Sequence, residues 1–129
     1  MALVIISELT VSDIEKSIKF YTTYFGFKVK LAEGEPLSWV QLDGDGAILM
    51  LQDYDEAKKE ISSIPKKTSS SNLIRFEFDN ARIVEDIYAS LKRDGADIFI
   101  DFTKTDYGKI ELGVYDLDRN MIIVSAPDK

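Results

Sequence analysis

Apolar positions along the chain switch between two rhythms, a period of two and a period near 3.6. Residues 3 to 11 are apolar and β-branched enough for a strand. Ser12 then stands where a helix N-cap belongs, with Glu15 completing a capping box. Ile14, Ile18, Tyr21 and Phe25 recur on one helical face and Gly26 supplies a left-handed stop, which predicts a helix over 13–25. Phe27, Val29 and Leu31 alternate with Lys28 and Lys30 as in a half-buried strand. "LSWVQLDGDGAILMLQD" reads as two strands joined at an Asp-Gly-Asp-Gly hairpin. A short polar helix over 53–64 and a solvated linker near 65–71 follow. Beyond them "NLIRFEFDN" is a strand, and Val84, Ile87, Tyr88 and Leu91 mark the buried face of a helix that Gly95 stops. Strands near 97–103, 108–116 and 120–126 complete the chain.

Both halves therefore read βαβββ, and they align on each other. "ISELTVSD" (6–13) set on "LIRFEFDN" (73–80) matches Leu9 to Phe76, Val11 to Phe78, Tyr21 to Tyr88 and Tyr24 to Leu91 with one offset. Further on, "DGDGAILML" (43–51) lies over "DLDRNMIIV" (116–124). The shared periodic pattern carries this repeat, since identity between the halves is low.

Composition narrows the chemistry. With 45% hydrophobic and 30% charged residues, the chain is expected to fold as one soluble domain over 1–129. Module one spans about 1–52, a connecting helix and linker 53–71, and module two about 72–129. Cysteine is absent, which excludes disulfides, thiolate metal sites and a cysteine nucleophile. Histidine is absent too, so no Ser or Thr hydroxyl has an imidazole base beside it. A net charge of −7 disfavours a nucleic-acid partner and mildly favours a cationic ligand, although acidic surfaces also simply aid solubility. No basic leader opens the chain and no apolar run approaches the ~18 residues that span a bilayer, so no membrane partner and a cytoplasmic location are expected.

Two segments carry a family resemblance. "LTVSDIEKSIKFYTTYFGFKV" (9–29) resembles the common first strand, helix and second strand of the vicinal-oxygen-chelate superfamily, which includes glyoxalase I, bleomycin-resistance proteins and extradiol dioxygenases. "YGKIELGVYDLDRN" (107–120) resembles its Tyr/Trp-Gly…Asp-Pro-Asp-Gly-Asn signature, with Leu117 and Arg119 standing where Pro and Gly are usual. The resemblance implies an α+β fold in which two βαβββ modules form curved mixed sheets around a cleft, commonly in a homodimer. It also implies a divalent metal held by His, Glu or Gln from the outer strands. Those positions fall here on Ile6, Met50, Leu73 and Ile123, and none is a competent ligand: three are hydrocarbon, and one thioether does not replace several oxygen or imidazole donors. No metal and no other cofactor are expected.

Strand alternation turns Glu8, Thr10, Arg75 and Glu77 to the concave face if Leu9, Val11, Phe76 and Phe78 face the helices. Glu8 and Arg75 occupy equivalent places and could pair with each other or with a ligand; solvated charges are the plainer alternative. Trp39 and Gln41 face the cleft if Val40 and Leu42 are core, and Glu111 and Tyr115 take the same face of the seventh strand, with Tyr107 at its edge. Glu8, Trp39, Gln41, Met50, Arg75, Glu77, Glu111 and Tyr115 are thus the ligand-binding candidates, with no catalytic residue assigned. Trp39 offers a flat ring for stacking, and Glu8, Glu77 or Glu111 beside apolar neighbours could serve as a carboxylate base.

The expected function is metal-free sequestration of a small cationic or aromatic organic molecule, as in the bleomycin-resistance-like branch that the pattern most resembles. One alternative is a metal-dependent lyase, isomerase or dioxygenase of glyoxalase type that uses Glu8, Glu77 and Glu111. Another is a non-catalytic dimeric interaction domain whose cleft is plugged by Trp39, Met50 and Phe99.

Overall fold

Each half of the repeat folds as its own mixed sheet with a helix packed on one face. A computed structural model of the chain describes residues 2–66 and 72–129. It divides into two units, Met1–Lys66 and Lys67–Lys129. The division falls inside the expected linker at 65–71, of which 67–71 lie outside the described residues.

In the first unit the order is β1 (Ser7–Val11), α1 (Ile14–Phe25), β2 (Lys28–Glu33), β3 (Trp39–Gly44), β4 (Ala47–Asp53) and α2 (Tyr54–Glu60). The sheet order is β1-β4-β3-β2, with β1 parallel to β4 and the other pairs antiparallel. The second unit repeats this with β5 (Leu73–Glu77), α3 (Ala81–Arg93), β6 (Ile98–Lys104), β7 (Lys109–Tyr115) and β8 (Met121–Pro127), in sheet order β5-β8-β7-β6. This is the α+β architecture of paired βαβββ modules.

The first core lies between α1 and the face of the sheet bearing Val40, Leu42, Leu49 and Leu51, all buried. Phe20, Tyr21, Phe25 and Phe27 fill the space beneath the helix, with Phe20 and Tyr21 edge-to-face at 5.2 Å. Burying each such side chain contributes about 1.5–3 kcal/mol. Gly26 ends α1 at φ 75, as its position predicts. In the second unit Val84, Ile87 and Leu91 pack on Leu112, Val114 and Ile122, again fully or nearly buried.

Several expectations are corrected. The cap of α1 is Asp13, whose carboxylate accepts from the Lys16 N–H at 3.1 Å, rather than Ser12. A charged acceptor also complements the positive end of the helix. The first strand begins at Ser7, not at residue 3, so Ile6 precedes it. The second helix is Tyr54–Glu60, shorter than 53–64, and starts at the cap Asp53. In β2 a bulge between Val29 and Leu31 breaks the alternation: Leu31 pairs with Gln41 and so takes the face opposite the core, 52% exposed. Tyr88 is half-buried where its counterpart Tyr21 is fully buried, because its hydroxyl reaches out to Asp101.

Candidate functional site

The candidate residues stand on the face of each sheet turned away from its helix. In the first unit Glu8 pairs with Met50, Met50 with Gln41 and Gln41 with Leu31, so these four form one row across all four strands. The adjacent row is Thr10, Gln52, Trp39 and Glu33. Trp39, Gln41, Met50 and Gln52 are all half-buried, whereas the alternate residues Val40, Leu42, Leu49 and Leu51 are core. Gln41 donates to Asp43 at 2.9 Å, and Asp43 lies 3.8 Å from the Lys30 ammonium. Glu8 is exposed and makes no hydrogen bond or ion pair among the described residues. This face thus combines an indole, a thioether and an amide with the uncommitted carboxylates of Glu8 and Glu33.

The second unit's open face is more polar and more tightly linked. Arg75 Nη1 donates to Glu111 Oε2 at 3.2 Å and to Ser125 Oγ at 3.1 Å. Ser125 in turn donates to Glu77 Oε1 at 2.7 Å, and Lys109 donates to the other Glu77 oxygen. Tyr107 completes the set through a 3.1 Å bond to Glu111 Oε2. Ser125 is fully buried beneath these groups and both hydrogen-bonding capacities of its hydroxyl are used. Arg75 is therefore engaged within its own sheet, as one of two cations balancing two carboxylates.

At the other end of this face the Tyr115 ring packs against Phe99 at a tilt of 44°, ring centroids 4.7 Å apart. Gly113 makes room for the arrangement: a Cβ there would stand 2.6 Å from the Phe99 ring edge. A bulge between Ile98 and Ile100 accompanies it. Arg119 lies over the Tyr115 ring at 4.0 Å and pairs with Asp97 at 3.1 Å.

Of the residues expected from sequence, the structure places Trp39, Gln41 and Met50 on one open face and Arg75, Glu77 and Glu111 on the other. Sequence reasoning missed Ser125 and Lys109, although counting by two from Ile123 and from Glu111 reaches both, and a lone hydroxyl in "MIIVSAP" was a signal. Arg119, which the sequence showed standing where glycine is usual, adopts φ 62, and its contacts with Tyr115 and Asp97 had no signal in the sequence. The Asp116–Asn120 hairpin keeps its geometry despite Leu117 and Arg119, because the nearly buried Asp116 carboxylate accepts from the backbone of Asp118 and Asn120 and from the Asn120 amide.

The metal implied by the family does not fit these residues. Met50 pairs with Glu8 in one unit and Ile123 with Arg75 in the other, so the two fourth-strand positions are equivalent by register. Leu73 heads its strand, 56% exposed, and Ile6 lies just before its own. Ile6, Leu73 and Ile123 bring no donor atom and Met50 only a thioether. Among the described residues no three His, Cys, Asp or Glu side chains gather in a metal-binding group. Glu77 and Glu111 already serve Lys109 and Arg75.

The comparisons agree with the architecture. The fold is similar to that of a glyoxalase-related enzyme from Fulvimarina pelagi, at 15% identity over 98% of this chain and 88% of that one, with TM-score 0.81. A lactoylglutathione lyase from Agrobacterium tumefaciens is similar at 17% identity, 98% and 94% coverage and TM-score 0.75. TioX from Micromonospora sp. ML1 is similar at 16% identity, 98% and 99% coverage and TM-score 0.74. At such identities these likenesses carry the fold alone, and no curated protein matches the sequence. The family pattern itself covers residues 3–124, nearly the whole chain, and on that match, with both βαβββ modules in place, the protein belongs to the Glyoxalase/Bleomycin resistance protein/Dioxygenase superfamily.

Proposed function

We propose that the chain is a metal-independent binding protein of the bleomycin-resistance type, which sequesters a small aromatic or cationic molecule without turning it over. The observation that carries this reading is the chemistry of four side chains, Ile6, Met50, Leu73 and Ile123, at the positions where the family's metal ligands are expected. Three hydrocarbon side chains and one thioether there remove the Lewis acid that the enzymatic branches rely on. On the first sheet's open face Trp39 supplies a stacking surface, Met50 an adaptable apolar contact and Glu8 a carboxylate for a cationic group. The homodimer is part of the proposal: exposed Val29, Leu31 and Leu73 offer apolar surface to a second copy.

The fold likeness to a lactoylglutathione lyase supports a glyoxalase-type enzyme at the level of architecture. Against it, two of the three carboxylates such an enzyme would draw on are committed, Glu77 to Lys109 and Ser125, Glu111 to Arg75 and Tyr107, which leaves only Glu8. The deciding experiment titrates metal-stripped protein with a bleomycin-class glycopeptide while following Trp39 fluorescence, with stoichiometry read by calorimetry and sedimentation. Saturable quenching in the micromolar range, indifferent to added divalent metal, is the expected result. A flat titration, or one tightly held Zn, Ni, Mn or Fe per chain in the purified protein, overturns the reading.

A further inference from the structure

The second unit contains a cavity of about 340 Å³ on the helix side of its sheet, where none of the candidate residues above stands. Its walls are Tyr88, Phe102 and Ile110, its rim carries Glu85, Lys104 and Asp128, and Ala81 closes it at the start of α3. Phe102 lies on the core side of β6, since its neighbour Thr103 pairs with Glu111 on the open face. The cavity is thus separated from the Arg75 network by the thickness of the sheet.

The internal repeat explains why the space is there. Helices α1 and α3 begin at equivalent residues, Ile14 and Ala81, behind the equivalent caps Asp13 and Asn80. In the first unit Ile14 is buried and Ile18 half-buried, closing the helix onto the sheet. In the second unit their counterparts are Ala81 and Glu85, so a branched side chain becomes a methyl and another becomes a carboxylate at the mouth.

Charge and shape then select the occupant. Lys104 lies 3.8 Å from Asp128, and Lys92, 6.0 Å from the centre of the Tyr88 ring, acts on Asp101. Glu85 is exposed and has no ion-pair or hydrogen-bond partner among the described residues, which leaves one negative charge in surplus at the rim. The rings of Tyr88 and Phe102, centroids 5.3 Å apart, present apolar and π surface. The volume is at the small end of ligand pockets, which run from about 300 to 1,000 Å³. From these features we infer that the cavity is a second ligand site, which takes a small aromatic ammonium ion, with its ring on Tyr88, Phe102 and Ile110 and its nitrogen at Glu85.

Amide NMR titration tests this with phenethylamine as the probe and 3-phenylpropionate as an anion of the same body. Phenethylamine is expected to move the amides of Ala81, Glu85, Phe102 and Ile110 saturably, with 3-phenylpropionate about tenfold weaker or worse. Ala81→Ile, which refills the space as Ile14 does, abolishes the shifts, and Glu85→Gln weakens binding by about three- to tenfold. Equal response to both probes, binding unchanged in Ala81→Ile or in Glu85→Gln, or no saturable shift at these amides overturns the inference. Trp39 fluorescence is not part of this readout, so the site stands or falls separately from the proposed sequestration.

Discussion

The half-buried Tyr88 and the exposed Asp101 form a short couple, with the phenol donating at 2.5 Å to a carboxylate that also accepts from the Phe102 N–H at 3.0 Å. Those two donors, the phenol first, hold the Asp101 carboxyl below its ordinary value of 3.8. The same bond raises the Tyr88 phenol above its ordinary 10.0. A depressed carboxyl contributes stability above its unfolded value and loses it as pH falls through the lower folded one. A raised phenol contributes below its unfolded value and loses it as pH rises through the higher folded one. Tyr88→Phe keeps the ring against Phe102 and removes only the bond. Denaturant titrations should therefore find the variant less stable by a constant amount between pH 3.8 and 10.0, with the gap closing on either side. A gap that persists unchanged into strong acid would assign the effect to packing.

At the scale of elements, departures from regular strand geometry shape the open faces. The bulge in β2 turns Leu31 into the row of Gln41, Met50 and Glu8, and the irregularities in β6 accompany a Phe99 ring lying over Gly113. The β7–β8 hairpin tolerates a non-glycine residue at positive φ by giving it two anchors, the Tyr115 ring and Asp97. A left-handed non-glycine residue costs about 1–2 kcal/mol, while an exposed cation–π contact returns about 0.5–1 and a surface ion pair up to about 1. Arg119→Ala keeps the cost and loses the anchors, so thermal unfolding should register a loss of about 1–2 kcal/mol. Arg119→Gly removes both and should remain within about 1 kcal/mol of the parent. A glycine variant as unstable as the alanine one would mean that the anchors, not the backbone, dominate.

For the molecule as a whole, that no competent donor set gathers among the described residues has a thermodynamic consequence. A protein that binds a metal only when folded gains stability with metal concentration, and chelation takes it away. Melting curves of this chain should superimpose before and after exhaustive dialysis against a chelator, and adding Zn, Ni, Mn or Fe should not raise the midpoint. A rise that saturates at one equivalent would restore the enzymatic reading. The charge of −7 does not alter this expectation, because scattered surface carboxylates bind divalent ions weakly and without the geometry of a site.

Much of this protein was readable from neighbouring residues alone. Period-two and helical patterns gave every strand and helix within a few positions, the repeat of one pattern yielded the paired modules, and the segments 9–29 and 107–120 carried the family resemblance. The identity of Ile6, Met50, Leu73 and Ile123 needed no coordinates to argue against a metal. What depended on tertiary structure involves partners far apart in the chain. Leu31 changes face because of how β2 registers on β3, Ser125 becomes the buried centre of a network with Arg75 and Glu77 about fifty residues away, and Arg119 is excused its backbone by Tyr115 and Asp97. The cavity under α3 arises because Ala81 and Glu85 leave unfilled a space that Ile14 and Ile18 close in the other module. Periodicity is a local property written in adjacent side chains, whereas a bulge, a long-range hydrogen bond or an unfilled space is set by what the fold brings opposite.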